Sequence, residues 1–242
     1  MNSYARCPFV MDGFPTHAIL QTMKFPKSTM TKFFSSFALG FWLSLVFTSS
    51  LSAAQYEACG ELDRHGAYGP YDYTDPFHFR EKLPIVERYH FTRGVENLTK
   101  GNTGRVIDDL NYVLMAFPNH HRALASMAKL AIREGKPKPT LSNFTLECWF
   151  DRAMRWRAKD GVVRMIFGNY LSQTKNYTQA LEQYQAAEEL LKNNANLYYN
   201  MGLLYMDLKN YDKAQEYAKK AYDQGFPLLG LKNQLQKVGK SP

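Results

Sequence analysis

From residue 161 onward the apolar and polar positions repeat with a period far longer than a helical turn. Displaced by 34 residues, the chain lies over itself: Gly168 on Gly202, Tyr177 on Tyr211, Ala180 on Ala214 and Ala187 on Ala221. The strings TKNYTQALEQYQAAEEL and LKNYDKAQEYAKKAYDQ overlay without a gap. Each period contains two apolar stripes of helical spacing separated by a short polar break, which predicts two antiparallel helices per unit and a stack of such units. Small side chains let paired helix axes close to roughly 8–10 Å. Tyr177 and Tyr211, just before each second helix, are placed to fill the turn.

These residues resemble the tetratricopeptide repeat. The resemblance implies an all-α solenoid of helix–turn–helix units whose first helices line a concave groove. Working backwards in the same register gives repeats at 87–120, 121–160, 161–194 and 195–228. In 121–160 the first helix carries Leu124, Met127, Ala128 and Ala131, and the second carries Phe150 and Ala153. Pro137 and Pro139 make the loop between them long and non-helical. In 87–120 the expected first helix is short, roughly Arg93 to Lys100 with Thr92 as N-cap. Val106, Leu110 and Val113 stripe its second helix, which Pro118 ends. Leu228, Leu231, Leu235 and Val238 form one apolar face of an amphipathic capping helix, within a terminal region at 229–242.

Upstream of the repeats, residues 55–86 are dense in Gly, Pro and aromatics and show no sustained helical period, which predicts an irregular segment packed over the first units. Residues 30–54 combine Lys32, an uncharged apolar run from Phe33 to Phe47, and Ser52-Ala53-Ala54. This is the pattern of a secretory signal cleaved between Ala54 and Gln55. The alternative is an uncleaved membrane anchor, for which the run is short against a span of roughly 20 residues. Residues 1–29 show no period, and Met23 or Met30 offers a better start, so 1–29 is read as an upstream mis-start.

Composition narrows the function classes. The chain of 242 residues is 45% hydrophobic, enough for one sizeable core. Beyond residue 54 there are 26 Lys and Arg against 21 Asp and Glu, a net +5 spread along the chain rather than gathered in a tract. Nucleic-acid binding is not favoured by that distribution. Of three cysteines, Cys59 and Cys148 follow the signal, and export predicts a disulfide between them. No catalytic or phosphate-binding motif stands in the sequence, so neither an enzyme nor a cofactor is expected. Asp108-Asp109 reads as a solvated helix face. His120-His121 reads as a helix start, Asn119 or a histidine satisfying the first amides. A metal-binding or enzymatic accessory using His90, His120 and His121 is the alternative from a different class, and a structural homo-oligomer subunit is another.

The remaining candidate site is the groove that the resemblance implies. Its lining is expected to be Arg122, Lys129 and Arg133 from the second repeat, Met165, Asn169 and Gln173 from the third, and Asn196, Tyr199, Asn200, Leu203 and Met206 from the fourth. Asn169 and Asn200 are expected at places where some members of the family hold a peptide backbone. Met165 stands where those members carry a lysine for a terminal carboxylate. The expected function is a non-enzymatic scaffold, exported to a periplasm, that binds another envelope or secreted protein or an extended peptide segment of one.

Overall fold

The computed structural model describes residues 59–62 and 68–241. The expected signal at 30–54 and residues 1–29 lie outside the described residues. Among the described residues the chain is all helical: α1 (Pro76–Glu81), α2 (Leu83–His90), α3 (Arg93–Glu96), α4 (Val106–Ala116), α5 (His121–Glu134), α6 (Leu146–Trp156), α7 (Gly161–Gln173), α8 (Tyr177–Leu190), α9 (Ala195–Asp207), α10 (Tyr211–Asp223) and α11 (Gly230–Lys237). Helices α7 with α8, and α9 with α10, make the most extensive pairings, the first helices α5, α7 and α9 touch in succession, and α11 packs against both α9 and α10. This is an all-α repeat solenoid closed at its C-terminal end by a helix.

Local chemistry sets the helix ends. The side chains of His120, Thr145, Asp160, Asn194 and Asn210 accept hydrogen bonds from the first-turn amides of α5, α6, α7, α9 and α10. Each satisfies donors that the helix itself leaves unpaired. The histidine reading holds: His120 Nδ1 accepts from the Ala123 amide at 3.1 Å. Gly135 ends α5 with φ of 67°, a left-handed position that glycine takes without cost.

The small residues do what the period requires, in two different ways. A Cβ on Gly168 would lie 2.6 Å from the ring of Tyr184 on α8, so this glycine admits an aromatic into the α7–α8 crossing. A Cβ on Gly202 would collide first with Leu231 of α11, and would touch the Ala214 carbonyl of α10 at 3.5 Å. Gly202 therefore makes room for the capping helix as well as for its own partner helix. Leu231 and Leu235 are fully buried against Tyr199, Leu203, Ala214, Ala218 and Ala221. The remaining core runs without a break from Leu83 to Tyr217 and is built around Trp149, Phe150, Phe117 and Tyr184.

The first unit departs from expectation. Helix α1 and the start of α2 occupy residues that were expected to be irregular, and α3 is only four residues long. Asp75 caps α1, with Phe77 and His78 amides donating to it, and prolines stand in the first turns of α1 and α2, where a missing N–H costs nothing. Thr92 precedes α3 but makes no side-chain cap. Asp108 and Asp109 also part company. Asp108 pairs with Arg105 near the surface, whereas Asp109 is fully buried and orders the loop before α4. It accepts from the amides of Asn102 (2.6 Å) and Thr103 (3.2 Å) and from Thr103 Oγ1 (2.6 Å), and bonds His90 Nδ1 (3.0 Å). Burial opposes its charge, but these bonds outweigh burial and hold its pKa below the usual carboxylate value.

Two devices tie the N-terminal segment to the repeats. Cys59 and Cys148 form the expected disulfide, 89 residues apart in sequence. Beside it the fully buried Arg152 donates through Nη1 to the carbonyls of Cys59, Gly60 and Glu61 at 3.0, 3.2 and 2.7 Å. The second device is the buried Asn119. Its Nδ2 donates to Asp72 Oδ1 (2.9 Å) and to Asp160 Oδ2 (3.0 Å), and its Oδ1 accepts from the Tyr73 amide (2.9 Å). His121 Nε2 lies 2.8 Å from Asp160 Oδ2, and Arg157 Nε lies 2.6 Å from Asp72 Oδ2 as an ion pair rather than an aligned hydrogen bond. Burial raises the pKa of Asp72, but bonds from Thr74 and Asn119 and the charge of Arg157 leave it lowered. That stabilisation is complete above the unfolded-state value of about 3.9 and fades as pH falls through the lower folded value.

Two outcomes follow from these ties. Thiol titration of the denatured, unreduced protein should find neither Cys59 nor Cys148 free, and the double change Cys59→Ser, Cys148→Ser should cost about 2–4 kcal/mol in a denaturant melt. Asn119→Asp places a third carboxylate between two others. Its folded pKa would be raised, so its penalty is complete above that raised value and fades as pH falls from there to the unfolded value near 4. The melting temperature of Asn119→Asp should therefore fall further below wild type at pH 7 than at pH 4. Asn119→Ala, which adds no charge, should show a smaller difference between the two pH values.

Candidate functional site

Stacking of the first helices α5, α7 and α9 produces a surface lined by one stripe from each. The structure divides the expected lining residues into three groups by what their side chains touch.

On α5, the basic residues face the first unit. Arg122 Nε and Nη2 donate to the two carboxylate oxygens of Glu96 at 2.8 and 2.5 Å, and Nη1 donates to Glu87 Oε1 at 3.1 Å. Its guanidinium also lies over the Phe91 ring, 5.0 Å from the centroid. These bonds lower the pKa of Glu96, the Arg122 hydrogen bond first, and raise that of Arg122. Arg133 is exposed and donates to the Leu98 carbonyl at 3.1 Å, and Lys129 is exposed. The cationic end of the expected groove is therefore largely committed to holding α2 and α3 against α5.

On α7 and α9, several residues face the next unit instead of an open groove. Asn169 is 2% exposed, and its Oδ1 accepts from Tyr184 Oη at 2.7 Å. Tyr199 and Leu203 are buried under α11, with the Tyr199 ring 4.3 Å from that of Phe226. Met165 and Met206 are half-buried against the same cores. The 34-residue register explains the division. Asn169 overlays Leu203 and Met165 overlays Tyr199, so both pairs belong to the face that receives the following first helix. The expectation that Asn169 and Tyr199 are spared by folding is corrected here: Asn169 is used by Tyr184 of its own unit and Tyr199 by the packing of α11.

The third group is what stacking leaves. Asn196 is exposed, Gln173 is half-exposed, and Asn200 stands one turn beyond Asn196 on the same stripe. Asn200 overlays Ile166, not Asn169, so the two asparagines are not equivalent. Its side chain is 5% exposed, yet its carboxamide makes no hydrogen bond among the described residues. Its amide oxygen and nitrogen are not among the buried polar atoms left without a partner, so they reach solvent although most of the residue is covered. Such a group has donor and acceptor capacity in reserve for a ligand backbone.

The three histidines do not converge. His90 is engaged with Asp109, His120 Nε2 lies 3.1 Å from Glu87 Oε1, and His121 is engaged with Asp160. Burial lowers the pKa of His120, which keeps the ring neutral and suited to its capping bond. Each imidazole is held by its own carboxylate, and no group of three or more metal-ligating side chains is found among the described residues. The metal alternative resting on His90, His120 and His121 therefore lacks the shared geometry it needs.

A family model described as TPR repeat matches residues 168–209. A second, described as Tetratricopeptide repeat, matches residues 195–224. No curated protein is similar enough to the chain to count as a match. The matched residues cover α8, α9, α10 and the second half of α7, the same helices whose glycines and alanines carry the 34-residue register. Residues 168–224 of this all-helical solenoid are tetratricopeptide repeats.

Proposed function

We propose that this chain is an exported, non-enzymatic scaffold of the cell envelope that holds an extended segment of another envelope or secreted protein against its first-helix face. Tetratricopeptide repeats are in general protein-interaction modules, which supplies the class. The disulfide and the apolar run ending in Ser52-Ala53-Ala54 support export to an oxidising compartment, and a simple signal of this kind suits a periplasm.

The observation that carries the reading is Asn200. It is nearly buried and unpartnered, on the stripe that also exposes Asn196. A carboxamide offers one acceptor and two donors, the complement of a peptide backbone. Apolar contact from Met206 and Gln173's flexible amide would flank such a strand, while α11 prevents a further repeat from stacking on α9.

Asn200→Ala should leave the melting curve nearly unchanged, because no bond within the fold is lost. Capture of envelope proteins on the immobilised protein should lose its principal bound species, since each well-placed hydrogen bond contributes about 0.5–1.5 kcal/mol. Unchanged capture of that species would remove Asn200 from the interface. Export is tested separately: N-terminal sequencing of the protein recovered from cells should begin at Gln55, and recovery of the longer chain in the membrane fraction would establish an anchor instead.

A further inference from the structure

A second concavity lies where the turn between α6 and α7 meets the end of α8. It is a cleft of about 690 Å³. Trp156, Val162 and Leu191 supply apolar walls, and Arg157 and Lys159 stand on the turn that forms its rim. Gly161 makes the floor: a Cβ there would lie 2.7 Å from Leu191 Cγ and 2.9 Å from Leu190 Cβ, so the start of α7 closes directly onto the end of α8.

The groups around this cleft are held in place by bonds that point away from it. Trp156 Nε1 donates to the Tyr71 carbonyl at 3.1 Å, which fixes the ring. Asp160 is the one carboxylate among the described residues lining the cleft. It is already engaged by the α7 amides, by Asn119 and by His121. Arg157 reaches Asp72 through Nε while its side chain remains 52% exposed, leaving guanidinium donors toward solvent. Lys159 is exposed and makes no hydrogen bond or ion pair among the described residues. The balance is an apolar, aromatic-walled recess with uncommitted positive charge at its mouth, and the one carboxylate among the described lining residues is occupied by hydrogen bonds from behind.

We propose that this cleft is a binding site for an acidic–apolar segment of the partner protein, in which an aspartate or glutamate adjoins a phenylalanine or leucine. The apolar side chain packs between Trp156, Val162 and Leu191, and the carboxylate meets Lys159 and Arg157. The stacked face of a fixed indole favours a planar or branched group, and a charged rim contributes mainly to the rate of encounter and to the choice of partner. This deepens the scaffold reading by naming the chemistry of the partner, and it uses residues separate from Asn200.

The test is fluorescence anisotropy with a fluorescein-labelled hexapeptide of sequence glycine–glutamate–phenylalanine–glutamate–leucine–glycine, amidated at its C-terminus, and the matching peptide with both glutamates replaced by glutamine. The purified chain should bind the first saturably and the second about fivefold or more weakly, with affinity falling as salt rises. Lys159→Glu and Ala158→Glu change exposed rim residues and should each weaken binding of the acidic peptide by a similar factor with an unchanged melting temperature. Lys237→Glu, on the distant α11, should not. Absence of binding, equal binding of both peptides, or indifference to both rim changes overturns the proposal. If the acidic peptide is lost with Asn200→Ala but not with Lys159→Glu, it occupies the first-helix face: the cleft assignment then fails while the scaffold reading stands. If partner capture survives Asn200→Ala but peptide binding follows the rim variants, the outcome is reversed.

Discussion

One carboxamide joins three separate parts of the chain. Asn119 spends both of its donors on carboxylates, Asp72 and Asp160, and its acceptor on the Tyr73 amide. Both carboxylates are nearly buried. Each also serves its own segment, since Asp72 accepts from Thr74 and Asp160 caps α7. The segment before α1, the turn before α5 and the turn before α7 are thereby fixed relative to one another without any of their backbones touching as a sheet or helix pair. A side chain with only donors or only acceptors would leave part of this network unpaired, and unpaired polar groups in a low-dielectric interior are costly. The stack of regular units at the C-terminal side rests on this irregular junction, because the N-cap of α7 is one of its members.

How much of this was legible in the sequence differs along the chain. The pairs α7–α8 and α9–α10 were readable because Gly168, Gly202, Ala180 and Ala214 repeat at a fixed distance and each has a steric reason to be small. The disulfide was readable from the expectation of export and from the two cysteines, Cys59 and Cys148, that lie beyond residue 54. The first unit was less so. Asp75-Pro76 is a good helix start, yet α1 spans six residues and buries none of them, so no apolar period announces it. The burial of Asp109 depends on His90 and on Thr103, partners brought together only by tertiary packing, and adjacent acidic residues carry no local sign of such a role.

The expected lining of the candidate site was misread in several details. Helical periodicity tells which residues share a stripe; it does not tell which stripe receives the next unit. Tyr199 lies where α11 arrives, and polarity alone could not reveal that Tyr184 of the same unit would occupy the amide of Asn169. Arg122 was expected to face a ligand and instead satisfies Glu87 and Glu96, two carboxylates contributed by helices the period had scarcely indicated.

These displacements have a common consequence for recognition. A stacked array uses most of its polar and aromatic groups to define its own packing, so its free recognition groups are those that no neighbouring unit claims. Asn200 makes no hydrogen bond among the described residues, while α11 covers its neighbours Tyr199 and Leu203. Lys159 is unclaimed because its turn projects past the bonds that hold Trp156, Arg157 and Asp160. Both groups sit on rigid supports, the middle of a packed helix and a turn fixed by a buried network, so that binding there would order few side chains and lose little conformational entropy.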